Sequence, residues 1–445
     1  MIKNYIKIAL KVFWRHKFFT AVNLFGICFT LVVLIAAVAF IDQKTGVADV
    51  APEVHNDRTL YLKWLFVWFA TTDTSGTVSQ HSAIASGIAY RFLDRYVRPL
   101  ETAENVAVFS SVDYRGLHGG AEESHVEVKL TDGAFWEVFD FDFRQGRPYT
   151  AAEVETGEVI AVISASFSRR FFGSEEAVGK IVPIEGRPFR VVGVVADAPH
   201  FRRRTKADIW VPLTTDPPEN WHPYRLIGGG FQSFQAAVLA RRPADMERIK
   251  AEFATVLEQV EPDPTDRFSH EVVFVPLVTA LDEWALDGAW RMLADQGYTT
   301  NEELQQAIAH QILNKLLVYG GLMLLFMLLP AFHLVNLNIS RIEERASEIG
   351  VRKAFGGSVR ALVGQFVAEN VLLTLLGVAL CLPLSWGILV MLSLAGMAYV
   401  DVPLLLSTVA YGTLLSVFFG VLSGAYPAWK MARLHPMRAL TGREL

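Results

Sequence analysis

The chain has 445 residues, of which 52% are apolar, and its formal net charge is -5. The apolar fraction is richer than a soluble domain usually shows, and a weakly acidic chain without a basic block is not typical of a nucleic-acid-binding protein. Its two cysteines, Cys28 and Cys381, both lie in long apolar stretches, so the polar part of the chain has no disulfide framework.

The first 17 residues predict an amphipathic helix at the cytoplasmic face of a membrane. Three lysines, at positions 3, 7 and 11, fall on a different helical face from Ile2, Ile6 and Phe13. An apolar run follows, and Ala37-Val38-Ala39 near its end also fits a signal-peptide cleavage site. Because the run is about 22 residues long, more than a signal peptide needs, we expect a retained anchor.

Four apolar stretches predict membrane-spanning helices. At about 1.5 Å per residue each can cross a hydrocarbon core of about 30 Å, and their interiors hold almost no charge. The predicted spans are residues 18–41, 316–337, 361–395 and 404–428. Lysine and arginine flank them at the N-terminus, at 338–360 and in the tail 429–445, which predicts that these three segments are cytoplasmic.

Residues 42–285, between the first and second spans, predict a large outer domain of α+β character. Val, Ile and aromatic residues form short strand patterns separated by Gly and Pro, at 58–69, 125–130, 159–163, 189–195 and 270–275. Helical patterns occur at 83–96, 164–172 and 245–260. Residues 286–315 predict a helical stalk, which is clearest over 302–315 and leads into the second span.

Two partial catalytic motifs of the outer domain fail on inspection. Residues 173–180, GSEEAVGK, have the wrong glycine spacing for a P-loop, and two glutamates would repel phosphate. Residues 270–274 begin like a zinc motif but lack the second histidine, and their alternation predicts a strand. We therefore expect a surface turn and a strand, no metal site, and a chain that is not itself an enzyme.

Polar side chains within the predicted spans are candidate functional residues, because burying them in lipid is unfavourable. Asn23, His333 and Asn336 are the members of this group, and hydrogen bonding between helices near the interface explains them equally well. Pro330 and Pro383 predict bends in their helices.

The cytoplasmic segment 338–360 predicts a short charged helix held between two spans. Glu348 and Arg352 are spaced i, i+4 in the favourable order, and Gly356-Gly357 predicts the helix end. Ser358 can cap the following helix, which continues through Gln365 and Glu369 into the third span.

These residues resemble the MacB-type, or FtsX-like, permeases of ABC transporters, also called type VII. The likeness is carried by Asn336-Leu337, Arg341, Glu344-Arg345, residues 348–354 and Gly356 in the cytoplasmic segment, by 426–432 and 435–440 near the C-terminus, and by 162–164, 171–173, 178–180 and 189–195 in the outer domain.

The resemblance implies a bacterial inner-membrane protein with four transmembrane helices, cytoplasmic termini and a large α+β periplasmic domain. It also implies a separate ATPase that binds ATP-Mg and moves the cytoplasmic coupling helix, so that motion passes through the stalk to the periplasmic domain. The chain itself is expected to bind no cofactor. The residues expected to contact the ATPase are Arg341, Glu344, Arg345, Glu348, Gly350, Arg352 and Lys353.

Further expected partners are a second permease chain, identical or different, and a periplasmic adaptor with an outer-membrane channel. The alternative is an FtsX-like regulator that activates a periplasmic hydrolase, or senses a ligand, without moving cargo. The size of the outer domain favours export. Peptides, macrolide-like drugs, lipids and lipoproteins all remain open as substrates.

Overall fold

The computed structural model describes residues 51–72, 78–86, 88–117, 124–198, 202–216, 234–260, 270–274, 277–286, 306–322 and 358–394, with isolated residues between 17 and 33, at 324–325, at 351 and between 410 and 421. The chain divides into two compact units. The larger is Asp42–Leu316, and the other combines Met1–Ile41 with Leu317–Leu445.

The described strands of the larger unit form a ten-stranded and a three-stranded sheet. In chain order they are β1 (Thr59–Leu62), β2 (Trp64–Thr72), β3 (Val78–Ser86), β4 (Ala103–Ser110), β5 (Asp113–Leu117), β6 (Ser124–Thr131), β7 (Phe143–Gly146), β8 (Ile160–Ser164), β9 (Ile181–Ile184), β10 (Arg187–Val195), β11 (Ile209–Pro212), β12 (Phe234–Ala240) and β13 (His270–Phe274).

Six strands of the larger sheet close into a ring. Strand β5 pairs with both β6 and β9, which joins the ends of the path β6-β11-β8-β10-β9-β5. The pairs β8/β10 and β6/β11 are parallel, and the other pairs of the ring are antiparallel. Beyond β6, strands β4, β12 and β1 extend the sheet, so β1 lies at its edge.

Short helices cover the larger sheet. They are α1 (Tyr90–Phe92, continued by a π-helical turn over Leu93–Val97), α2 (Phe135–Val138), α3 (Ala151–Glu155), α4 (Ala165–Phe172), α5 (Met246–Leu257) and α6 (Ala280–Leu286). Side chains cap the N-termini of two of these helices. At α4 the Ser164 side chain accepts a hydrogen bond from the Phe167 N–H, and at α3 Thr150 and Glu153 form a capping box.

Apolar side chains make up the core of the larger unit. Strands β8 and β12 are buried at every position, as expected of strands covered on both faces. Trp136 of α2 packs edge-on against Phe141, Tyr149 and Trp210, so α2 is fixed to β11 by an aromatic cluster. The buried apolar side chains of the sheet and helices form one continuous cluster.

Most local predictions for this unit are confirmed. Strands occupy the predicted positions near 58–69, 125–130, 159–163, 189–195 and 270–275, and helices α4 and α5 match 164–172 and 245–260. Residues 173–180 form a bend and turn before β9, and 270–274 lie in β13, as expected from their sequence patterns.

The predicted helix 83–96 is wrong in its first part. Residues 83–86 complete β3, in register with β2 from Trp64↔Ser86 to Thr72↔Val78, and helix α1 begins only at Tyr90. Alanine at 83 and 85 favours a helix locally, but nine paired residues of backbone ladder with β2 outweigh that weak preference.

The second unit contains a long helix, α8 (Val359–Leu394), preceded in the chain by helix α7 over 306–322. Within α8, Val363–Ile388 is the one candidate membrane span among the residues the structure describes. The helix continues through Pro383. Described residues between 17 and 33 and between 410 and 421 are also helical, and Cys28 Sγ donates to the Gly377 carbonyl over 3.2 Å.

Helix α8 buries polar side chains and exposes apolar ones, the reverse of the pattern of a helix on the surface of a soluble protein. Thr374 and Ser385 are 2% and 1% exposed, whereas Leu380 and Leu384 are 55% and 51% exposed. At the start of the helix Gln365 donates to buried Glu369 over 3.0 Å. Polar atoms turned inward and leucines turned outward are the arrangement expected in lipid.

Several predictions fall outside the described residues. These are the stalk over 287–305, the residues Asn23, Pro330, His333 and Asn336, and every residue assigned to the ATPase contact. Helix α7 covers the end of the expected stalk and the start of the expected second span. The count of four spans and the stalk as a functional element remain predictions.

Candidate functional site: a buried charge network and an adjoining groove

Two segments of the larger unit, one before β1 and one after β13 in the chain, lie near the edge strand β1. We call residues 51–58 the N-terminal segment and 277–286 the C-terminal segment. Tyr61 N–H donates to the Val278 carbonyl over 2.7 Å, and Val278 N–H donates back over 3.0 Å. Leu277 and Leu286 of the C-terminal segment are buried, so that segment is anchored in the core. The segment nearest the predicted first span therefore lies beside the one that precedes the predicted stalk.

Glu53 of the N-terminal segment is completely buried and has three partners on one loop. Its carboxylate accepts from Arg202 Nη1 at 3.1 Å, from Arg204 Nη1 at 3.2 Å and from Thr205 Oγ1 at 3.0 Å. A buried carboxylate without such partners would destabilise the fold by several kcal/mol, roughly. The loop 202–206 is therefore fastened to the N-terminal segment.

Arg204 also reaches the C-terminal segment. Its Nε and Nη2 donate to Glu283 Oε2 over 2.9 and 2.5 Å, and its guanidinium lies 3.9 Å from the centre of the Tyr61 ring. Lys63 Nζ donates to the other oxygen of Glu283 over 3.0 Å. One guanidinium thus bonds to Glu53 and Glu283 at the same time, a geometry that the planar fork of arginine permits.

Opposite charges determine the protonation of this network. Burial would raise the pKa of Glu283, but Arg204 and Lys63 outweigh it and lower the pKa to about 2. Burial would lower the pKa of Arg204, but Glu283, Tyr61 and Glu53 raise it above its ordinary value. Burial raises the pKa of Tyr61. At neutral pH the Glu283 carboxylate is therefore ionised beside the charged Arg204 guanidinium.

Lys129 of β6 binds the backbone of the same loop, residues 202–206. Its ammonium is inaccessible to solvent and donates to the carbonyls of Arg203 and Arg204 over 3.0 and 2.8 Å. Burial is the main cause that lowers the pKa of Lys129 to about 7, although Glu53 and Glu127 oppose it. The two carbonyls accept hydrogen bonds from the buried nitrogen and so offset part of the cost of its burial.

Lys129 predicts a pH dependence of stability. Because the pKa is about 7 in the folded chain and 10.5 when unperturbed, the folded state binds fewer protons between these values, and the free energy of unfolding rises with pH. We expect the wild type to gain stability relative to Lys129→Met between pH 7 and 9, by up to about 1.4 kcal/mol per pH unit. Thermal unfolding in detergent at several pH values measures this difference, and a flat difference would contradict it.

A groove adjoins the network. Two cavities of about 730 and 470 Å³ share Tyr114, Glu127 and Lys206. Lys63 and Arg203 line the smaller cavity, so the loop 202–206 presents Arg203 and Lys206 to the groove and Arg202 and Arg204 to the network. The groove is therefore next to the place where the two chain segments meet.

Ion pairs line part of the larger cavity, beside apolar residues such as Phe167 and Phe171. Lys206 pairs with Glu127 at 3.0 Å, Arg170 with Asp208 at 3.2 Å, and Asp197 accepts from the Ser166 N–H at the start of α4. The described residues contain no cluster of His, Cys, Asp or Glu that could hold a metal ion. The larger cavity therefore combines charged pairs with apolar side chains.

The network was not predicted from the sequence. Glu53 and Arg204 are 151 residues apart, and Arg204 and Glu283 are 79 apart, so no local pattern connects them. The only signal was the run Arg202-Arg203-Arg204, and a charge run usually indicates a solvated surface.

Two family matches define the class of protein, a membrane permease with a periplasmic domain, and the larger unit has the α+β fold of that domain. The family described as MacB-like periplasmic core domain matches residues 20–256, more than half of the chain, and the family described as FtsX-like permease C-terminal matches 320–436. The chain belongs to this family of MacB-like permeases, which are inner-membrane proteins.

Three relatives illustrate the match. The pyoverdine export ATP-binding/permease protein PvdT of Pseudomonas syringae pv. tomato is 24% identical over 442 residues, which are 98% of this chain and 59% of that protein. The macrolide export ATP-binding/permease protein MacB of Salmonella typhi is 26% identical over 73% of this chain and 44% of its own length. The uncharacterized ABC transporter permease YknZ of Bacillus subtilis is 23% identical over 72% of this chain and 70% of its length. The chain spans about three fifths of PvdT and under half of MacB.

Proposed function

We propose that this chain is the permease subunit of an ABC transporter that couples ATP hydrolysis by a partner ATPase to conformational change in its periplasmic domain, and so exports or extracts a substrate. The observation that carries the proposal is the FtsX-like match over residues 320–436. It includes the predicted coupling segment 338–360, which is the part of the chain that an ATPase below the membrane would contact.

The arrangement of the larger unit supports mechanical coupling. Its N-terminal and C-terminal segments both accept hydrogen bonds from Arg204, and the C-terminal segment is hydrogen-bonded to strand β1 of the larger sheet. Each segment leads in sequence toward a predicted span. A displacement of those spans would therefore reach the sheet through two adjacent segments rather than through opposite ends of the domain.

ATP-Mg is expected on the partner ATPase and not on this chain. PvdT and MacB are named as ATP-binding/permease proteins, and the match covers 59% and 44% of them. A second permease chain, identical or different, completes the proposed membrane unit. A periplasmic adaptor and an outer-membrane channel are further proposed partners.

The regulatory alternative is not favoured. A MacB-like core domain accounts for residues 20–256, and the names of PvdT and MacB both specify export. No feature of the described residues points to activation of a hydrolase. The groove beside loop 202–206 is the proposed contact surface for a periplasmic ligand.

Co-purification and topology labelling test the proposal. The chain in nanodiscs should stimulate ATP hydrolysis by the ATPase that co-purifies with it, compared with the ATPase alone. Single cysteines introduced at Tyr114 and at Glu344, in a chain whose two native cysteines are replaced, should react with impermeant reagent from opposite sides of the membrane. Labelling of both positions from the same side would contradict the proposal.

A further inference from the structure

Arg204 is the one described side chain that is ion-paired with both the N-terminal and the C-terminal segment of the larger unit. Its Nη1 lies 3.2 Å from Glu53 Oε2, and its Nη2 lies 2.5 Å from Glu283 Oε2. Glu53 is inaccessible, and the side chains of Arg204 and Glu283 are each 12% exposed. We call Glu53, Arg204 and Glu283 together the Arg204 bridge.

The bridge complements a sparse backbone connection. The C-terminal segment is otherwise held by the backbone bridge of Val278 to Tyr61 of β1, by the ion pair of Glu283 with Lys63 and by the packing of α6 on the core. Helix α6 has only seven residues, and its N-terminus is capped by reciprocal bonds between Thr279 and Asp282. So short a helix has little stability of its own and depends on tertiary contacts.

Burial makes the bridge specific to arginine. A lysine carries one ammonium at the end of a flexible chain and cannot place two separate nitrogens on two carboxylates. The low exposure of all three side chains keeps water from substituting for the missing bond. The same loop contributes Arg202, which bonds to Glu53 over 3.1 Å, and the ion pairs of the described residues join Arg204 but not Arg202 to Glu283.

We propose that Arg204 is a positioning residue that locks the N-terminal and C-terminal segments into one body, so that motion of the C-terminal segment moves the larger sheet. This inference rests on the proposed function and names the contact through which force from the membrane enters the periplasmic domain. Arg204 acts through Glu53 and Glu283 and touches neither nucleotide nor ATPase.

Hydrogen exchange of the full chain in detergent tests the bridge without any partner. Arg204→Lys should speed exchange of the amides in 277–286 about tenfold, while strands β8 and β10 stay protected. The matched control Arg202→Lys, which keeps the Arg204 bridge, should leave 277–286 unchanged. Unchanged exchange of this segment in Arg204→Lys, or the same increase in both variants, would overturn the proposal.

A second variant, Glu283→Gln, tests the proposal even if Arg204→Lys does not fold. Glu283→Gln removes the C-terminal carboxylate and leaves Arg204 bonded to Glu53, so it should also speed exchange in 277–286. Protection equal to that of the wild type in Glu283→Gln overturns the proposal whatever happens to Arg204→Lys.

Coupling between the C-terminal segment and the larger sheet is measured by hydrogen exchange in the complex with the ATPase. Addition of a non-hydrolysable ATP analogue should change exchange in both 277–286 and strand β10 of the wild type, and only in 277–286 of Arg204→Lys. A purely structural role predicts instead that β10 responds equally in both chains, and that result overturns the proposal. No response anywhere in the wild type counts against the proposed function itself, since the exchange without ATPase is measured separately.

Discussion

Reversal of one charge in the predicted coupling segment 338–360, Glu348→Arg, is expected to abolish stimulation of the partner ATPase. Glu348 lies in the part of the chain that resembles the coupling segment of the MacB-like permeases, and it is predicted to share a helix face with Glu344 and Arg352. A like-charge contact in an interface costs several kcal/mol. A loss of about 2 kcal/mol already weakens association by about 30-fold.

Glu343→Arg is the matched control for this variant. It makes the same charge change five residues earlier, on a different face of the predicted helix, so it should leave stimulation close to that of the wild type. ATP hydrolysis is measured at increasing permease concentration, because a weakened contact shifts the concentration needed. Full stimulation by Glu348→Arg at low concentration would remove the role assigned to this residue.

The second large effect is expected in the periplasmic domain, from Gly146→Ala. Gly146 of β7 faces Gly193 of β10 and has a φ of 69°. An added Cβ would lie 2.1 Å from the Val192 carbonyl oxygen and 2.9 Å from the Cα of Gly193. Since both obstacles are backbone atoms, β7 must separate from β10, and we expect a loss of about 3 kcal/mol or more in the free energy of unfolding.

Gly186→Ala separates the two causes of this loss. Gly186 has a similar φ of 78°, but a Cβ there meets no atom within 4 Å. It should therefore show only the cost of the left-handed backbone, about 1–2 kcal/mol. Thermal unfolding of both variants in detergent gives the comparison. Equal losses would mean that the approach of β7 to β10 does not limit the side chain at 146.

Local sequence patterns predicted much of the periplasmic domain. The Val, Ile and aromatic patterns at 125–130 and 189–195 predicted strands where β6 and β10 lie, and the helical pattern at 164–172 predicted α4, because such patterns arise within a few residues of the chain. Residues 83–86 were assigned wrongly for the opposite reason. Their state depends on pairing with β2, which the local composition does not specify.

The candidate sites also differ in whether the sequence alone could predict them. The cytoplasmic segment was recognised from a contiguous run of residues, so the sequence was sufficient to propose it. The groove and the Arg204 bridge combine residues from distant parts of the chain, such as Glu53, Lys129 and Glu283. No sequence spacing relates these residues, and the arginine run at 202–204 has the pattern of an exposed surface.

The sequence by itself determined that this chain has long apolar stretches, which side of the lipid its basic flanks favour, and which family it resembles. These properties depend on hydrophobicity, charge and contiguous motifs. Only the tertiary structure decided that six strands close into a ring and that loop 202–206 is turned inward onto Glu53 and Glu283. The physical reason is that a buried ion pair is stable only where folding brings its partners together and removes water. The spacing of the charged residues along the chain does not determine the distance between them in the folded domain.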